Sequence, residues 1–266
     1  MAKQLIKIKV KAQKSSVLTA SADLLALGVF EDTPAQSLIT QLNKQLNGDI
    51  EKVKKLGDFD PKPAGTCLLY ASGSLKVDRV LLVGLGKRKD FKTETLRKAA
   101  SVASTKAVDL KAKTLLLSLH TDVPGSADWT IQQLGQIMTE GACFGAYRYD
   151  EFITEKDHKR PAVLAVTIAD TTPAHVKALS QGVTSGLITG QAQNIARTIA
   201  NRPANVINPV TLAAEAKKLA ASTPGLRCTI LDEKQLKAKK MGGILAVGQG
   251  SATPARLIVL QYTPTG

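Results

Sequence analysis

Aromatic residues and cysteines are scarce in this sequence, and their scarcity excludes several classes of protein. Aromatics make up 4% of the 266 residues, so the core must be built from Ala, Leu, Val and Ile, which disfavours a small all-β sandwich. The three cysteines, Cys67, Cys143 and Cys228, are widely separated and form no Cys-x-x-Cys pair. They exclude a disulfide scaffold or a zinc ribbon and are typical of a reducing compartment.

The sequence also lacks a long apolar run. No stretch of about 18 apolar residues is available to span a bilayer. The N-terminal segment is interrupted too often for the apolar region of a signal peptide, by Lys3, Lys7, Lys9, Lys11 and Lys14. We therefore expect a cytoplasmic protein without a membrane partner.

Side chains that could bind a metal or act as a nucleophile are few and scattered. His120, His158 and His175 lie far apart, and neither an HExxH motif nor a His/Cys pair at ligand spacing occurs. An acidic cluster beside His158 could hold a hard cation but is more typical of a solvated loop: Asp150, Glu151, Glu155 and Asp157. Cys143 has no histidine near it in sequence, and we predict a buried structural thiol.

Positive charge, in contrast, is in excess. Lys and Arg number 36 against 22 Asp and Glu, and the formal net charge of +14 attracts polyanions at long range. Gly84 and Gly86 follow an apolar run, so their backbone N–H groups could approach a phosphate. The third glycine of a dinucleotide-binding loop is absent, which favours a tight strand-to-helix turn with exposed cations. The candidate contacts to a nucleic-acid backbone are the cations of this turn: Lys87, Arg88 and Lys89.

Strand and helix patterns alternate through the first 170 residues. A half-buried strand with one basic face is predicted where apolar residues alternate with lysines, at Ile6, Ile8, Val10 and Ala12. Further strands are predicted at residues 66–71, 79–83, 113–119 and 162–169. Helices are predicted from Pro34, from Thr93 and over residues 128–147. This alternation indicates an α/β layered domain.

Beyond residue 171 the pattern changes. Pro173 begins a long helix whose apolar side is predicted to hold Val176, Leu179, Val183, Leu187, Ile195 and Ile199. A stripe that would let another backbone approach closely is formed by Gly182, Gly186 and Gly190. The remaining predicted elements are a helix capped by Asn208, a strand at 226–231, a helix from Asp232 to Gly242–Gly243, and a strand at 257–262. Two strands are few for an independent sheet, so we expect the incomplete start of a second domain.

Four stretches of sequence, taken in their order along the chain, carry a resemblance to a known family. They are residues 82–87 (LVGLGK) with 96–100 (LRKAA), 140–150 (EGACFGAYRYD), 196–205 (ARTIANRPAN) with Pro209, and 241–251 (MGGILAVGQGS). Together they resemble the leucyl aminopeptidases, the cytosolic two-metal enzymes that remove N-terminal amino acids from peptides. The resemblance covers essentially the whole chain.

This resemblance implies an N-terminal macro-like α/β domain over residues 1–170. Residues 171–266 would then hold a linking helix and the incomplete start of an α/β zinc-exopeptidase-like catalytic domain. The family enzyme is a homohexamer that holds two divalent metal ions, Mn or Zn, through motifs beginning after the strand at 257–262. No metal ligand and no catalytic residue is therefore carried over to this chain, which we expect to bind no metal and to be an inactive fragment when isolated.

Two other functions remain open. Some members of the resembled family bind DNA, so a basic DNA-binding or oligomerisation module is the alternative, although the lysine excess also serves solubility. The likeness to macro domains raises a nucleotide or ADP-ribose pocket lined by Gly84 and Gly86.

Overall fold

The structure, a computed structural model, describes residues 6–32, 38–71, 75–125, 128–154 and 161–264. The chain divides into two compact units, Met1–Ala196 and Arg197–Gly266. The predicted domain boundary at 170/171 lies just before the helix Pro173–Asn201, and it stays a prediction.

The first unit is built on a six-stranded sheet. Its strands are β1 (Lys7–Lys14), β2 (Leu24–Phe30), β3 (Thr66–Tyr70), β4 (Arg79–Gly86), β5 (Thr114–Ser118) and β6 (Val163–Asp170). Their order is β1-β6-β5-β2-β4-β3. All neighbours are parallel except β3, which pairs antiparallel with β4. The predicted α/β class is confirmed.

Helices cover both faces of this sheet. Those described are α1 (Leu38–Gln45), α2 (Asp49–Leu56), α3 (Thr93–Asp109), α4 (Ile131–Ala146) and α5 (Pro173–Asn201). One core joins the sheet to α3, α4 and the first half of α5, and a second core joins the opposite face to α1 and α2. The helix predicted from Pro34 is confirmed from Leu38 onward, and its predicted start lies outside the described residues.

Strand β2 is the central element that the sequence patterns do not reveal. Every residue of it is buried, because its side chains alternate between the two cores. Leu24 and Ala26 pack in the core with α3 and α4, whereas Leu25 and Leu27 pack in the core with α1 and α2. A strand buried on both faces lacks the alternation of polar and apolar residues that would predict it from the sequence.

The first strand has the basic face that its sequence predicts. Along β1 the lysines Lys7, Lys9 and Lys11 are exposed, whereas Ile8 and Val10 are partly buried against the core. Because β1 lies at one end of the strand order, these lysines line an edge of the sheet.

The glycine stripe of α5 packs directly on α4. A Cβ atom added to Gly182 would lie 2.0 Å from the carbonyl oxygen of Gln132, and one added to Gly186 would lie 2.5 Å from that of Gln136. The predicted close backbone approach is therefore confirmed. The predicted apolar side is wrong at Ile195, which is 57% exposed, because the contact with α4 follows the glycines rather than the whole apolar stripe.

The second unit contains α6 (Pro209–Ser222), β7 (Leu226–Leu231), α7 (Glu233–Ala238), α8 (Gly242–Gly248) and β8 (Leu257–Tyr262). Strands β7 and β8 form a two-stranded antiparallel sheet. Asn208 and Asp232 cap α6 and α7 through capping boxes, as predicted. The predicted helix end at Gly242–Gly243 is wrong: α7 already ends at Ala238, and these glycines begin α8.

Candidate functional site

The three cations predicted to contact nucleic acid lie in a turn directly after β4. Lys87 and Lys89 are exposed, and Arg88 begins a single 3-10 turn. The backbone N–H of Arg88 donates to Asp32 Oδ1 at 2.9 Å, and its guanidinium donates to the carbonyl oxygen of Asp122. That guanidinium also lies 5.4 Å from the centre of the Phe30 ring. Arg88 therefore ties neighbouring loops together, and nucleic-acid contact by this turn stays a prediction.

Gly84 and Gly86 cannot act as a phosphate cradle. The N–H of Gly84 donates to the carbonyl of Gly65 at 2.8 Å, and that of Gly86 donates to the carbonyl of Pro61 at 2.9 Å. A Cβ on Gly84 would lie 2.1 Å from the carbonyl oxygen of Lys62. The hypothesis of a nucleotide pocket lined by these glycines is wrong, because the adjacent loop already occupies the space and uses the donors.

The structure instead brings together two histidines and an aspartate that are far apart in sequence. His120 follows β5 by two residues, Asp170 ends β6, and His175 lies in the first turn of α5. Since β5 and β6 are parallel neighbours, their carboxyl ends meet at one edge. Asp170 Oδ2 lies 3.1 Å from His120 Nε2 and 3.2 Å from His175 Nδ1. These three side chains are called the Asp170 cluster below.

Asp170 is held in its ionised form. Burial alone would raise its pKa, but hydrogen bonds from His120, from the backbone N–H of Thr172 at 2.7 Å, and from His175 outweigh burial. The pKa of this carboxyl therefore lies well below its usual range. The side chain of His120 is 2% exposed, and its Nδ1 has no hydrogen-bond partner among the described residues.

A cavity of about 480 Å³ opens beside the Asp170 cluster. The residues that line it include the Asp170 cluster, the polar Thr121, Thr130 and Thr172, and the apolar Val123, Trp129, Ile131 and Leu134. The Trp129 ring is fixed by an edge-to-face contact with Phe91, with ring centres 5.3 Å apart. Thr130 caps α4 through a capping box, which fixes the start of that helix at the cavity wall.

This site is not predicted from the sequence because its histidines lie far apart along the chain and were therefore not expected to meet. The signal that could have found it is positional. His120 and Asp170 each come at or just after the carboxyl end of a predicted strand, where parallel α/β sheets place ligand-binding residues.

The other predicted groups behave as follows. Cys143 is buried, as predicted, and burial together with Glu140 raises the pKa of its thiol to about 11. Asp150 and Glu151 lie in a turn after α4, whereas Glu155, Asp157 and His158 lie outside the described residues.

No group of three or more His, Cys, Asp or Glu side chains that could hold a metal ion occurs among the residues that the structure describes. In the Asp170 cluster, both histidines direct a nitrogen at the same carboxylate oxygen, which is hydrogen-bonding rather than metal-binding geometry. Within the same ranges, no helix is long and apolar enough to cross a membrane.

Comparison with known proteins gives a consistent result along the chain. Residues 26–156 match the model of the cytosol aminopeptidase family N-terminal domain, and residues 194–266 match that of the family's catalytic domain. A probable cytosol aminopeptidase of Aquifex aeolicus is 33% identical over 259 residues, which cover 97% of this chain and 49% of the relative. One of Alkalilimnicola ehrlichii is 34% identical over 248 residues, covering 92% and 49%.

Solved structures agree with these relatives. A mutant of tomato leucine aminopeptidase superposes with a TM-score of 0.86 at 25% identity, covering 99% of this chain and 52% of that one. The bottromycin maturation enzyme BotP in complex with Mn superposes with a TM-score of 0.71 at 28% identity, covering 92% and 46%.

An α/β N-terminal domain followed by part of an exopeptidase catalytic domain defines the class of two-domain aminopeptidases. The chain belongs to the cytosol aminopeptidase family. It spans about half the length of the curated relatives that it matches.

Proposed function

We propose that this chain is the N-terminal portion of a leucyl aminopeptidase that removes N-terminal amino acids from peptides. The observation that carries the proposal is the match to both family domains, in order, together with the superposition on tomato leucine aminopeptidase over 99% of the chain. In this proposal residues 1–170 form the N-terminal domain, and residues 171–266 form the linking helix and the start of the catalytic domain.

The proposed enzyme uses two divalent metal ions, Mn or Zn. Support for a metal comes from BotP, which has been solved in complex with Mn. The residues that the structure describes do not fit such a pair, since they contain no candidate metal group. We place the metal ligands in the part of the family's catalytic domain that this chain does not cover, and we derive no catalytic step from the residues present.

The compartment, the oligomeric state and the substrate of the proposed enzyme are taken from the same family resemblance. The proposed enzyme is a cytoplasmic homohexamer that acts on peptides. Its compartment is supported by the curated relatives, which are named cytosol aminopeptidases.

The proposal is tested on the native protein. Antibodies raised against these 266 residues would capture it from its source cells for intact mass spectrometry and for an assay with leucine amide. We expect a mass near twice 28.2 kDa and Mn-dependent release of leucine. A captured protein of 28.2 kDa without peptidase activity would contradict the proposal.

Binding to DNA is the second candidate function, favoured by the net charge of +14 and by the exposed lysines of β1. Lysines at a sheet edge also prevent strand pairing between molecules, so solubility is an alternative explanation for these lysines. Fluorescence anisotropy with a labelled duplex separates the two. Contact with the DNA backbone predicts that log K falls against log salt with a slope of about −0.9 per neutralised phosphate.

Substitution of Lys7, Lys9 and Lys11 by Gln should make that slope shallower. The same substitution at Lys217, Lys218 and Lys234, which are also exposed, is the matched control. An affinity that does not change with salt would eliminate DNA binding.

A further inference from the structure

The sheet of the first unit has two edges of opposite character. At one edge, β1 exposes Lys7, Lys9 and Lys11, and lysines on an edge strand oppose pairing with another molecule. At the other edge, β3 has the sequence TCLLY, which contains neither a charged residue nor a proline. Within the described residues, β3 pairs only with β4. This second edge therefore lacks the side chains that protect the first.

The hydrogen bonds between β3 and β4 determine which backbone groups of β3 face outward. In the register that joins the two strands, the N–H of Ala71 donates to the carbonyl of Asp78 at 3.0 Å. Bonded and non-bonded pairs alternate along an antiparallel ladder, so every second residue of β3 bonds to β4 and the residues between them do not. The N–H and C=O groups that point to the free edge are those of Thr66, Leu68 and Tyr70.

These outward groups are complementary to those of a second β3. When two copies lie antiparallel about a two-fold axis at Leu68, each Leu68 opposes its equivalent, and each Thr66 opposes Tyr70 of the second copy. This register engages the outward N–H and C=O groups of both strands. It brings no charged side chain of β3 against another, whereas two β1 strands would bring lysines together.

The side chains at this edge favour the same arrangement. Thr66 is exposed, and the aromatic side chain of Tyr70 is 70% exposed. Both lie on the same face of β3, since alternate residues of a strand share a face. An aromatic ring opposite a β-branched side chain is a favourable cross-strand pair. A second copy would thus cover a ring that a single chain leaves in solvent.

We propose that β3 is a docking edge for β3 of a second copy of this chain, so that the two sheets join into one continuous sheet. The contact lies wholly in the first unit, and it does not depend on the proposed peptidase activity. Each strand contributes 5 residues, so the interface is small, and we expect a reversible dimer with a Kd of about 0.1 mM.

Exchange of backbone N–H hydrogens with water tests the contact residue by residue in the 266-residue chain. Magnetisation transfer from water measures it at about 0.02 mM and at about 1 mM, and a Kd of about 0.1 mM makes the chain largely dimeric only at the higher concentration. Exchange at Thr66, Leu68 and Tyr70 should become about fourfold slower there. Exchange at Cys67 and Leu69, which bond to β4, should not change. Sedimentation velocity over the same range should show conversion of monomer to dimer.

Variants with lysines on β3 test the edge independently. In the double variant Thr66→Lys/Tyr70→Lys, lysines would oppose each other across the two-fold axis, so we expect a dimer at least about tenfold weaker. Both positions are exposed, so the variant should fold. The matched control, Gln181→Lys/Thr184→Lys, adds the same charge at exposed positions of α5 and should dimerise like the wild type.

Two results with the wild-type chain would overturn the proposal. One is a chain that remains monomeric at about 1 mM, ten times the expected Kd. The other is a dimer that leaves exchange at Thr66, Leu68 and Tyr70 unchanged, because such a dimer would form through another surface.

Discussion

At the scale of single residues, one carboxylate connects three elements of the first unit. Asp170 ends β6, accepts from His120 beyond β5, and accepts from Thr172 and His175 at the start of α5. Its hydrogen bonds keep it ionised in spite of its burial. The same side chain therefore stabilises the junction and places a carboxylate in the lining of the cavity.

Removal of this charge should cost stability in a pH-dependent way. We expect Asp170→Asn to lower the free energy of unfolding at pH 7 by about 1–3 kcal/mol, because hydrogen bonds to a charged acceptor are weakened. The folded-state pKa lies below the usual value of 3.8, so the stabilisation is complete above that pH and is lost as the pH falls through the folded-state pKa. The difference between variant and wild type should thus shrink in acid.

Urea unfolding from pH 7 to pH 3 measures the onset of this loss, which begins below pH 3.8. Asp109→Asn is the matched control, because it removes an exposed ion pair with Arg148 at 3.2 Å and should cost at most about 1 kcal/mol. A difference for Asp170→Asn that grows towards acid would contradict the stated role of the carboxylate.

At the scale of elements, sequence patterns predict those parts of the fold that have one buried and one exposed face. Strand β1 shows alternating lysines, and α6 and α7 show capping residues, so all three could be predicted. Strand β2 is buried on both faces and has no such contrast. Helix α8 begins with two glycines, which local rules associate with helix ends rather than starts.

The packing of α5 on α4 gives a prediction at this scale. Ala is a better helix former than Gly, yet Gly182→Ala should destabilise the first unit by about 1–3 kcal/mol, because the new methyl group would meet the Gln132 carbonyl oxygen at 2.0 Å. The neighbouring exposed residue supplies the control: Gln181→Ala should be neutral or slightly stabilising. Thermal unfolding of the two variants compares them, and equal melting temperatures would show that the helices can separate without cost.

At the scale of the whole molecule, family membership could be predicted from the sequence, whereas the candidate site could not. The motif order along the chain identifies the family without any knowledge of contacts. The cavity depends on residues 120, 170 and 175 meeting through the strand order β6-β5, which no local pattern reveals. The glycines that did suggest a site, Gly84 and Gly86, are used by a neighbouring loop.

We propose that the 266 residues belong to a leucyl aminopeptidase and that those described by the structure hold neither of its metal ions. Hydrolysis of leucine amide by the purified chain, with Mn²⁺ or Zn²⁺ added, tests it most directly. We expect no release of leucine above a protein-free blank with either metal, because the described residues contain no group that could hold two ions. Metal-dependent release that rises in proportion to the concentration of the chain, and that a chelator abolishes, would contradict the claim.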